Sequence, residues 1–406
     1  MTDAATDAAT GTTPAAAGPL AGLTVLDFGH TVMGPSCGVV LADLGADVIR
    51  VEPPEGDRTR RLGGFGTGFF ATYNRNKRSL AVNLKDARGL DVVRRLVRRA
   101  DALVENFAPG TMDRLGLGWD AVRTVNPRLI YCSLKGFLPG PYEALPALDE
   151  VVQMQGGLAV MTGPPGQPLR AGTSVVDIAG GMFGALGILA ALRRRDATGE
   201  GELVRASLFE SVAFMVGQHI AAGAATGERV PPMTARRATW AIYDVLAASD
   251  GQVFVGAVSD GHWARLLGAF DMGPLADDPS LATNAGRVAG RDRIMPVLAR
   301  HVAAMTVAEV MARCRAALLP CAPVAHPSDL EDDAHLLAAG SLADTDLGGG
   351  RRARIPMTPL AFGDAGPRLT RQPPATGADT ADILASLGIP EEEVASLRDA
   401  GVVGVG

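Results

Sequence analysis

The chain has 406 residues, of which 47% are hydrophobic and 20% charged, so it can bury a large core and is expected to form more than one domain. A formal net charge of -6 and the lack of a block rich in Lys and Arg argue against a nucleic-acid-binding surface and favour an anionic small molecule as the ligand. The four cysteines are too few and too widely spaced for a disulfide framework, which predicts reduced thiols and a cytoplasmic protein.

The first part of the chain alternates between strand and helix patterns. Residues 1–19 are rich in Ala and Thr and lack the basic start and apolar run of a signal peptide, so we expect a disordered tail. A strand, a helix and a second strand are then predicted at 23–28, 35–44 and 47–52. A further helix and two further strands follow at 87–99, 102–106 and 129–134. This alternation predicts a doubly wound α/β domain with a parallel sheet.

The longest apolar run follows Asp177 and covers 178–192, which is 15 residues. It is shorter than the roughly 18 residues needed to span a bilayer, so we expect a buried helix and no membrane segment. Its four glycines leave a smooth face that another backbone could approach closely, although tight packing alone explains them as well: Gly180, Gly181, Gly184 and Gly187.

The alternation of strand and helix patterns ends near residue 217. A loop-like stretch at 227–237 precedes a predicted hairpin of strands 242–247 and 253–258, and helices follow. The span 217–330 is therefore a candidate second, smaller α+β domain. Beyond it the chain is loop-rich and ends in a predicted helical pair at 380–387 and 391–400.

The turn at 29–35, between the first strand and its helix, could present backbone N–H groups to a phosphate. Glu52, which ends the second strand, stands where a dinucleotide-binding enzyme would place its ribose-binding acid. However, Gly29, Gly34 and Gly38 do not have the GxGxxG spacing, so a nicotinamide-dependent dehydrogenase is a weak alternative. An ordinary strand-to-helix turn explains the segment equally well.

Asp177 stands directly before the glycine-rich helix, and in isolation it reads as an N-cap. Its surroundings, however, resemble a known family. The segments that carry the resemblance are LAGLTVLD at 20–27, LGADVIRVEP at 44–53, NKRS at 76–79, 101–110 with VENF at 104–107, RLG at 114–116, NPRLI at 126–130, DIAGG at 177–181 and TGEG at 198–201. They are similar to the class III CoA-transferases (CaiB/BaiF), which include formyl-CoA and carnitine CoA-transferases and, as a divergent branch, α-methylacyl-CoA racemase.

The resemblance implies that Asp177 is a covalent nucleophile and that coenzyme A, as a substrate and not as a permanently bound cofactor, occupies a site lined by several segments. By resemblance these are Val32 and Met33, then Val82, Asn83, Leu84 and Lys85, then Asn106, Phe107 and Ala108, and Arg114. Asp149 aligns with an acidic position of the family, where it could orient groups near Asp177 or cap a helix. Position 32 is glutamine in the formyl-CoA enzymes and valine here, which argues against formyl or oxalyl specificity.

The implied activity is transfer of coenzyme A from an acyl-CoA to a free carboxylic acid, through an aspartyl anhydride and an aspartyl-CoA thioester. Such intermediates hydrolyse, so we expect a lid, for which 227–240 is the candidate. A dicarboxylate such as succinate, malate or mesaconate is a reasonable substrate. Five arginines could bind its second carboxylate, or could be solvated surface groups: Arg58, Arg60, Arg61, Arg236 and Arg237.

Two other functions stay open at this point. An α-methylacyl-CoA racemase needs acid and base groups on both faces of the substrate, but its relatives carry a histidine where this chain has Leu148. A non-catalytic CoA-binding protein would be favoured if Asp177 lay away from any cleft. His30 is expected to be structural or to contact the ligand, and the other histidines lack metal-like spacing, so no metal site is predicted.

The family resemblance also implies an architecture. A Rossmann-like large domain is expected from an N-terminal part at 20–216 and a C-terminal segment at 331–406, with 217–330 as the small domain. Two chains are expected to interlock as a homodimer.

Overall fold

The structure is a computed structural model that describes residues 18–235, 239–363 and 366–406. Its strands are β1 (Thr24–Asp27), β2 (Asp47–Glu52), β3 (Lys77–Val82), β4 (Ala102–Glu105), β5 (Ile130–Lys135), β6 (Leu203–Ser207), β7 (Ile242–Ala247), β8 (Gln252–Ala257), β9 (Cys321–Pro323), β10 (Leu342–Gly348), β11 (Arg351–Pro356) and β12 (Val403–Gly404).

Its helices are α1 (Met33–Asp43), α2 (Phe69–Asn74), α3 (Ala87–Val97), α4 (Thr111–Arg114), α5 (Trp119–Val125), α6 (Asp149–Gln155), α7 (Leu158–Thr162), α8 (Val175–Thr198), α9 (Leu208–Met215), α10 (Gly217–Thr226), α11 (Asp260–Ala269), α12 (Gly273–Ala276), α13 (Asn284–Ala289), α14 (Arg291–Ala303), α15 (Val307–Ala316), α16 (Ala334–Ala338), α17 (Thr380–Ser386) and α18 (Glu391–Asp399). Short 3₁₀ helices lie at Arg58–Arg61, Gly64–Gly68, Pro279–Leu281 and Pro327–Asp332.

The largest sheet has seven strands in the order β12-β3-β2-β1-β4-β5-β6. All neighbours pair in parallel except β12, which pairs antiparallel with β3. The predicted α/β fold with a parallel sheet is therefore confirmed. The chain runs outward from β1 in one direction to β3 and then returns to β4 on the other side of β1. Such a reversal of strand order leaves a crevice at the carboxyl ends of β1 and β4.

Alternating side chains of the central strands supply the two faces of the sheet. Val25 packs with α1 and α8 in one core cluster, whereas Leu26 packs with α3, α17 and α18 in the other. Because successive side chains of a strand point to opposite faces, a short apolar strand buried on both faces can serve two helical layers. Both layers are thus built from consecutive residues of the same strands.

The described chain divides into two compact units, of which Pro231–Asp333 is one and the remaining residues are the other. The C-terminal residues from Ala334 onward belong with the large sheet, since β12 pairs with β3 and α17 and α18 cover it. The sequence had placed the boundaries after residues 216 and 330. Helix α10 lies instead with the first unit, because it follows α9 directly through Val216 and contacts it.

The second unit has its own sheet and core. Strands β7, β8 and β9 form an antiparallel sheet, and helices α11 to α15 lie in the same unit. Its core is formed by buried side chains such as Trp263, Leu266, Phe270 and Leu298. The predicted hairpin of this unit is present, with its second strand one residue earlier than expected.

Helix α8 is longer than the apolar run from which it was predicted, with 24 residues instead of 15. An 18-residue window of α8 has a mean hydropathy of 2.0, so the helix is long and apolar enough to cross a membrane, and α14 with α15, bent by 119°, passes the same test as a pair. A core helix of a soluble protein has the same properties. In this fold α8 packs on α1, β5 and β6, and its buried side chains belong to the core of the sheet.

Candidate active site

At the carboxyl ends of β1 and β4, a pair of hydrogen bonds joins the two loops that border the crevice. The backbone N–H of His30 donates to Oδ1 of Asn106 at 2.7 Å, and Nδ2 of Asn106 donates to the carbonyl of His30 at 3.0 Å. The ring of His30 lies 5.6 Å from that of Phe107. Asn106 therefore fixes the β1–α1 loop, which the sequence singled out as a phosphate-binding candidate, against the segment after β4.

The β1–α1 loop is tightly folded. A Cβ on Gly29 would lie 2.6 Å from the backbone of Gly34, and Thr31 adopts a left-handed backbone conformation with φ of 63°. Such a conformation is costly for a residue with a branched side chain and is typical of functional loops. The side chains of Val32 and Met33 are buried, so these two residues can offer a ligand their backbone groups only.

A buried group of charges contacts this loop and holds it in place. Asp27 accepts a hydrogen bond from the N–H of Gly29 at 2.7 Å and from Nζ of Lys77 at 2.6 Å. Nζ of Lys77 also donates to the carbonyl of Pro35 at 3.0 Å. Burial lowers the pKa of Lys77, while the neighbouring Asp27 carboxylate opposes that shift. The ion pair thus joins β3 to both ends of the loop, and neither member is available to a ligand.

Asp177 is the third residue of α8, and Ser174 is the N-cap. The reading of Asp177 as an N-cap is therefore wrong. Its carboxylate accepts no hydrogen bond from the residues that the structure describes. The start of α8 lies against the start of α1, since a Cβ on Gly180 would lie 2.5 Å from Cε of Met33 and one on Gly181 would lie 2.6 Å from the carbonyl of Met33. The close approach of these backbones brings Asp177 to the β1–α1 loop.

The helix end that carries Asp177 is capped by another carboxylate. Oδ2 of Asp149 accepts hydrogen bonds from the N–H groups of Val176 at 2.8 Å and Asp177 at 3.0 Å. Gln153 donates to the second oxygen of Asp149. Asp149 is almost fully buried, and it satisfies two of the free N–H groups at the start of α8. The two alternatives for Asp149 are thus combined: it caps a helix, and by doing so it fixes the backbone of Asp177.

The surroundings of Asp177 disfavour its negative charge. Burial, followed by the charges of Asp149 and then Glu150, raises the pKa of Asp177 to about 7. Burial and the charge of Asp177 likewise raise the pKa of Tyr73, on α2, to about 12. Tyr73, which the sequence did not single out, therefore borders the same site. An aspartate that is poorly stabilised as an anion is a more basic group than one in water, as suits a nucleophile.

The other residues expected to contact coenzyme A lie along the carboxyl edge of the sheet. Val82 is buried in the core and offers no side chain, whereas Asn83 and Leu84 are half-buried and Lys85 is exposed. Ala108 is exposed at a cleft of about 270 Å³, and Arg114 is exposed and donates to Oγ1 of Thr111 at 2.9 Å.

A partly buried ion pair that the sequence did not reveal positions the loop after β4. Nζ of Lys135 donates to both carboxylate oxygens of Glu105 and to the carbonyl of Phe107, each at 2.7 Å. The carboxylate of Glu105 also accepts the N–H of Phe107 at 3.0 Å. Glu105 ends the apolar strand β4 and Lys135 ends the apolar strand β5, and a charge at the end of an apolar strand was the one feature of the sequence that could have indicated them. The two residues become neighbours because β4 and β5 pair in the sheet.

Two of the five candidate arginines are already engaged. Arg60 pairs with Glu52 and stacks 3.6 Å from the ring of Phe70, and Arg61 donates to the carbonyl of Glu55 at 2.8 Å. Arg58 is exposed. Arg236 and Arg237 lie outside the described residues, as does part of the lid candidate 227–240.

Glu52 cannot serve as a ribose-binding acid. Its carboxylate accepts hydrogen bonds from the N–H of Asp57 at 2.7 Å and from Oγ of Ser79 at 2.7 Å, besides pairing with Arg60. The feature that suggested a dinucleotide-binding enzyme is thus a structural ion pair. Within residues 18–235, 239–363 and 366–406, no group of three or more His, Cys, Asp or Glu side chains is placed to hold a metal ion.

Comparison with known proteins agrees with this geometry. Residues 20–380 match the model of CoA-transferase family III. The chain is 32% identical to a succinate–glutarate CoA-transferase of Agrobacterium fabrum, over 91% of this chain and 96% of that protein. It is 33% identical to a succinyl-CoA:mesaconate CoA-transferase of Haloarcula hispanica, over 92% and 97%, and 32% identical to a formyl-CoA:oxalate CoA-transferase of Streptomyces avermitilis, over 95% and 99%.

Solved structures give the same result. A CaiB/BaiF family protein from Brucella suis superposes with a TM-score of 0.82 at 33% identity, covering 91% of this chain and all of that one. A hypothetical protein from Mycobacterium tuberculosis gives a TM-score of 0.78 at 29% identity, over 91% and 99%. The resemblance inferred from the sequence motifs is confirmed, and the chain belongs to the class III CoA-transferases, a family of enzymes that act on CoA thioesters.

Proposed function

We propose that this enzyme moves coenzyme A from an acyl-CoA to a free carboxylic acid and that Asp177 carries the coenzyme between them. The observation that carries the proposal is the state of Asp177. Its carboxylate accepts no hydrogen bond from the described chain, its backbone is fixed by Asp149, and its pKa is raised to about 7 by burial and by nearby carboxylates.

The chemistry requires a nucleophile that keeps the energy of the thioester. The Asp177 carboxylate attacks the acyl-CoA carbonyl, which forms a mixed anhydride and releases the CoA thiolate. The thiolate then attacks the aspartyl carbonyl, so that the original acid leaves with one oxygen of Asp177 and the enzyme holds the thioester. The incoming acid repeats these two steps in reverse order and replaces the lost oxygen of Asp177.

A dicarboxylic acid is the proposed class of acceptor. The relatives from Agrobacterium fabrum and Haloarcula hispanica are named for succinate, glutarate and mesaconate, all of which carry two carboxylates. A racemase is not favoured, because Leu148, which stands where the racemases have a histidine, cannot exchange a proton.

We also propose that the enzyme is a homodimer of interlocked chains in the cytoplasm. Large apolar side chains lie exposed on the helices of the first unit, at Met154, Met182, Leu186, Phe214 and Ile220. A soluble monomer rarely exposes many such groups together, so a second copy is the proposed cover. The four cysteines are free thiols, and Cys37, Cys132 and Cys314 are buried, which supports a reducing compartment.

Substitution of the nucleophile tests the proposal. Asp177→Asn and Asp177→Ala should each lower CoA transfer at least about 1,000-fold, since neither side chain can form the anhydride. Asp196→Asn, which changes an exposed carboxylate near the end of the same helix, should transfer at the wild-type rate. Transfer by Asp177→Ala at a rate near that of the wild type would refute the proposed mechanism.

A further inference from the structure

Arg170 lies in the loop before α8, seven residues before Asp177. The N–H of the next residue, Ala171, donates to Oε1 of Gln153 at 2.9 Å, and Gln153 in turn donates to Asp149. Asp149 holds the N–H of Asp177. The backbone beside Arg170 and the backbone of Asp177 are therefore fixed by the same short chain of hydrogen bonds.

The guanidinium group of Arg170 is only partly satisfied. Nη1 lies 3.1 Å from Oε1 of Glu150, but the geometry is not that of a hydrogen bond, and this buried nitrogen has no hydrogen-bond partner within the described chain. The side chains of Arg170 and Glu150 are 38% and 48% exposed, so their attraction is weak. A carboxylate with better geometry could replace Glu150 at little cost, because Glu150 can turn into solvent.

Two elements connect Arg170 to the site of Asp177. Asp149 and Glu150 begin helix α6, where Asp149 contacts Asp177 and Glu150 faces Arg170. On another side, the guanidinium lies 5.8 Å from the ring of Phe65, which contacts Phe69 at 5.1 Å, which contacts Tyr73 at 6.4 Å. The charge of Asp177 acts on Tyr73. An aromatic row thus runs from Arg170 to Tyr73, which senses the charge of Asp177, and the first turn of α6 contacts both Arg170 and Asp177.

We propose that Arg170 binds the distal carboxylate of a dicarboxylic acid, or of its CoA thioester, while the proximal carboxyl group reacts at Asp177. The assignment rests on the function proposed above and names the group that selects the acid. A planar guanidinium can donate two parallel hydrogen bonds to a carboxylate, and Nη1 of Arg170 has no hydrogen-bond partner within the described chain. Arg60 is held by the carboxylate of Glu52, and Arg61 donates to the backbone carbonyl of Glu55.

Two matched pairs of substrates test the assignment. Succinate and butyrate have the same chain length and differ in one carboxylate, as do succinyl-CoA and butyryl-CoA. In Arg170→Gln, kcat/KM for succinate should fall about 10- to 100-fold, mainly through a higher KM, because one charged hydrogen-bonding partner is lost. The value for butyrate should stay within about two-fold of the wild type. Arg170→Lys, which keeps the charge but not the fork, should recover part of the loss.

Arg193→Gln serves as the control, since Arg193 is an exposed arginine near the other end of α8. It should keep the wild-type preference for succinate. An equal loss with both acids would show that Arg170 has a structural role, and a preference that survives in Arg170→Gln and in Arg170→Lys would overturn the assignment. A preference lost in Arg58→Gln instead would move the role to that arginine.

The proposed function can fail separately. If Asp177→Ala transfers CoA at a rate near that of the wild type, the proposed mechanism falls, and the Arg170 assignment with it. If wild type transfers CoA to succinate and butyrate equally well, only the Arg170 assignment is overturned. Circular dichroism of each variant checks that the comparison is made on folded protein.

Discussion

At the scale of single residues, the site depends on a carboxylate in surroundings that oppose its charge. Asp177 lies beside Asp149, whose own charge is stabilised by two backbone N–H groups of α8. The helix end is therefore already neutralised by Asp149 and stabilises Asp177 less than a free helix end would. A more basic carboxylate results, as the proposed attack of Asp177 on the acyl carbon requires.

The raised pKa of Asp177 has a consequence for stability. Between its ordinary value near 3.8 and its folded value of about 7, the folded state holds a proton that the unfolded state has lost. Stability contributed by this proton is present below that window and is lost as the pH rises through it. Asp177→Asn removes the charge, so at pH 8 the free energy of unfolding of the variant should exceed that of the wild type by about 2 kcal/mol. This is about half of the value that the full pKa shift would give, because the carboxylate keeps some contact with water.

Urea unfolding at two pH values measures this effect. At pH 8 the variant should unfold at a higher urea concentration than wild type, and near pH 4 the two should unfold almost together. Were Asp177 acting as a helix cap, its replacement by alanine would cost about 0.5–2 kcal/mol at neutral pH. A variant less stable than wild type at pH 8 would contradict the electrostatic account.

The sequence indicated Asp177 through its motif and Asp149 through the family resemblance, but it did not indicate Tyr73 or show how these groups meet. Asp149 is 28 residues away along the chain, and Tyr73 is more than a hundred. Neither stands in a pattern whose spacing points to Asp177, because their proximity arises from how α2, α6 and α8 pack. Arg170 was overlooked for the same reason, although it is close in sequence.

At the scale of elements, the contact between α1 and α8 positions Asp177, the proposed nucleophile. A Cβ on Gly181 would lie 2.0 Å from Oγ of Ser36 and 2.6 Å from the carbonyl of Met33. Backbone atoms cannot move aside as a side-chain end can, so even a methyl group must push the two helices apart. The absence of a side chain at Gly181 therefore sets the distance between Asp177 and the β1–α1 loop.

Gly181→Ala should destabilise the protein by about 1–3 kcal/mol, as overpacking of a tight core contact does, and should lower CoA transfer. Gly217→Ala is the matched control. Gly217 begins helix α10, and a Cβ there would meet nothing within 4 Å, so this change should leave stability unchanged or raise it by up to about 1 kcal/mol. Thermal unfolding measures both. Equal stability of the two variants would show that the helix contact is not as tight as described.

Several elements followed from the sequence and others did not. Strand β2 has the predicted bounds, and β1, α1 and β4 differ from prediction by one or two residues at an end, since each is a short apolar run between turns. Strand β3 was not predicted because it begins with Lys77, Arg78 and Ser79, whose polar groups find partners only in the fold. The β10–β11 hairpin lies in a stretch read as loop, since its exposed positions are charged and its turn consists of glycines.

At the scale of the whole molecule, the sheet order decides which loops form the site. The sequence predicted alternating strands and helices, but many strand orders satisfy that alternation. Only the placement of β1 beside β4 brings His30 to Asn106, and only the return of the C-terminal residues to β3 completes the sheet. The order depends on contacts between residues far apart in the chain, which single-sequence patterns do not contain.

The exposed apolar side chains of the first unit lead to a prediction about assembly. Sedimentation velocity should show a dimer at micromolar concentration with no folded monomer, because an interlocked pair cannot separate without unfolding. Phe214→Asp, which places a charge on an apolar side chain that is 75% exposed in the single chain, should reduce the yield of folded dimer. A stable, folded monomer of wild-type protein would contradict the proposed assembly.

If Asp177 is the nucleophile, it exchanges an oxygen with each acid that takes part in the reaction, and the transfer of oxygen-18 from a labelled acid detects this exchange directly. Trypsin should release residues 171–193 as one peptide in which Asp177 is the only acidic side chain. After turnover of succinyl-CoA with succinate labelled by oxygen-18 in its carboxylates, one oxygen of this peptide and then a second should be replaced by oxygen-18, while the Asp177→Asn peptide should exchange none. Vigorous CoA transfer with no label in the wild-type peptide would show that the acid never bonds to Asp177.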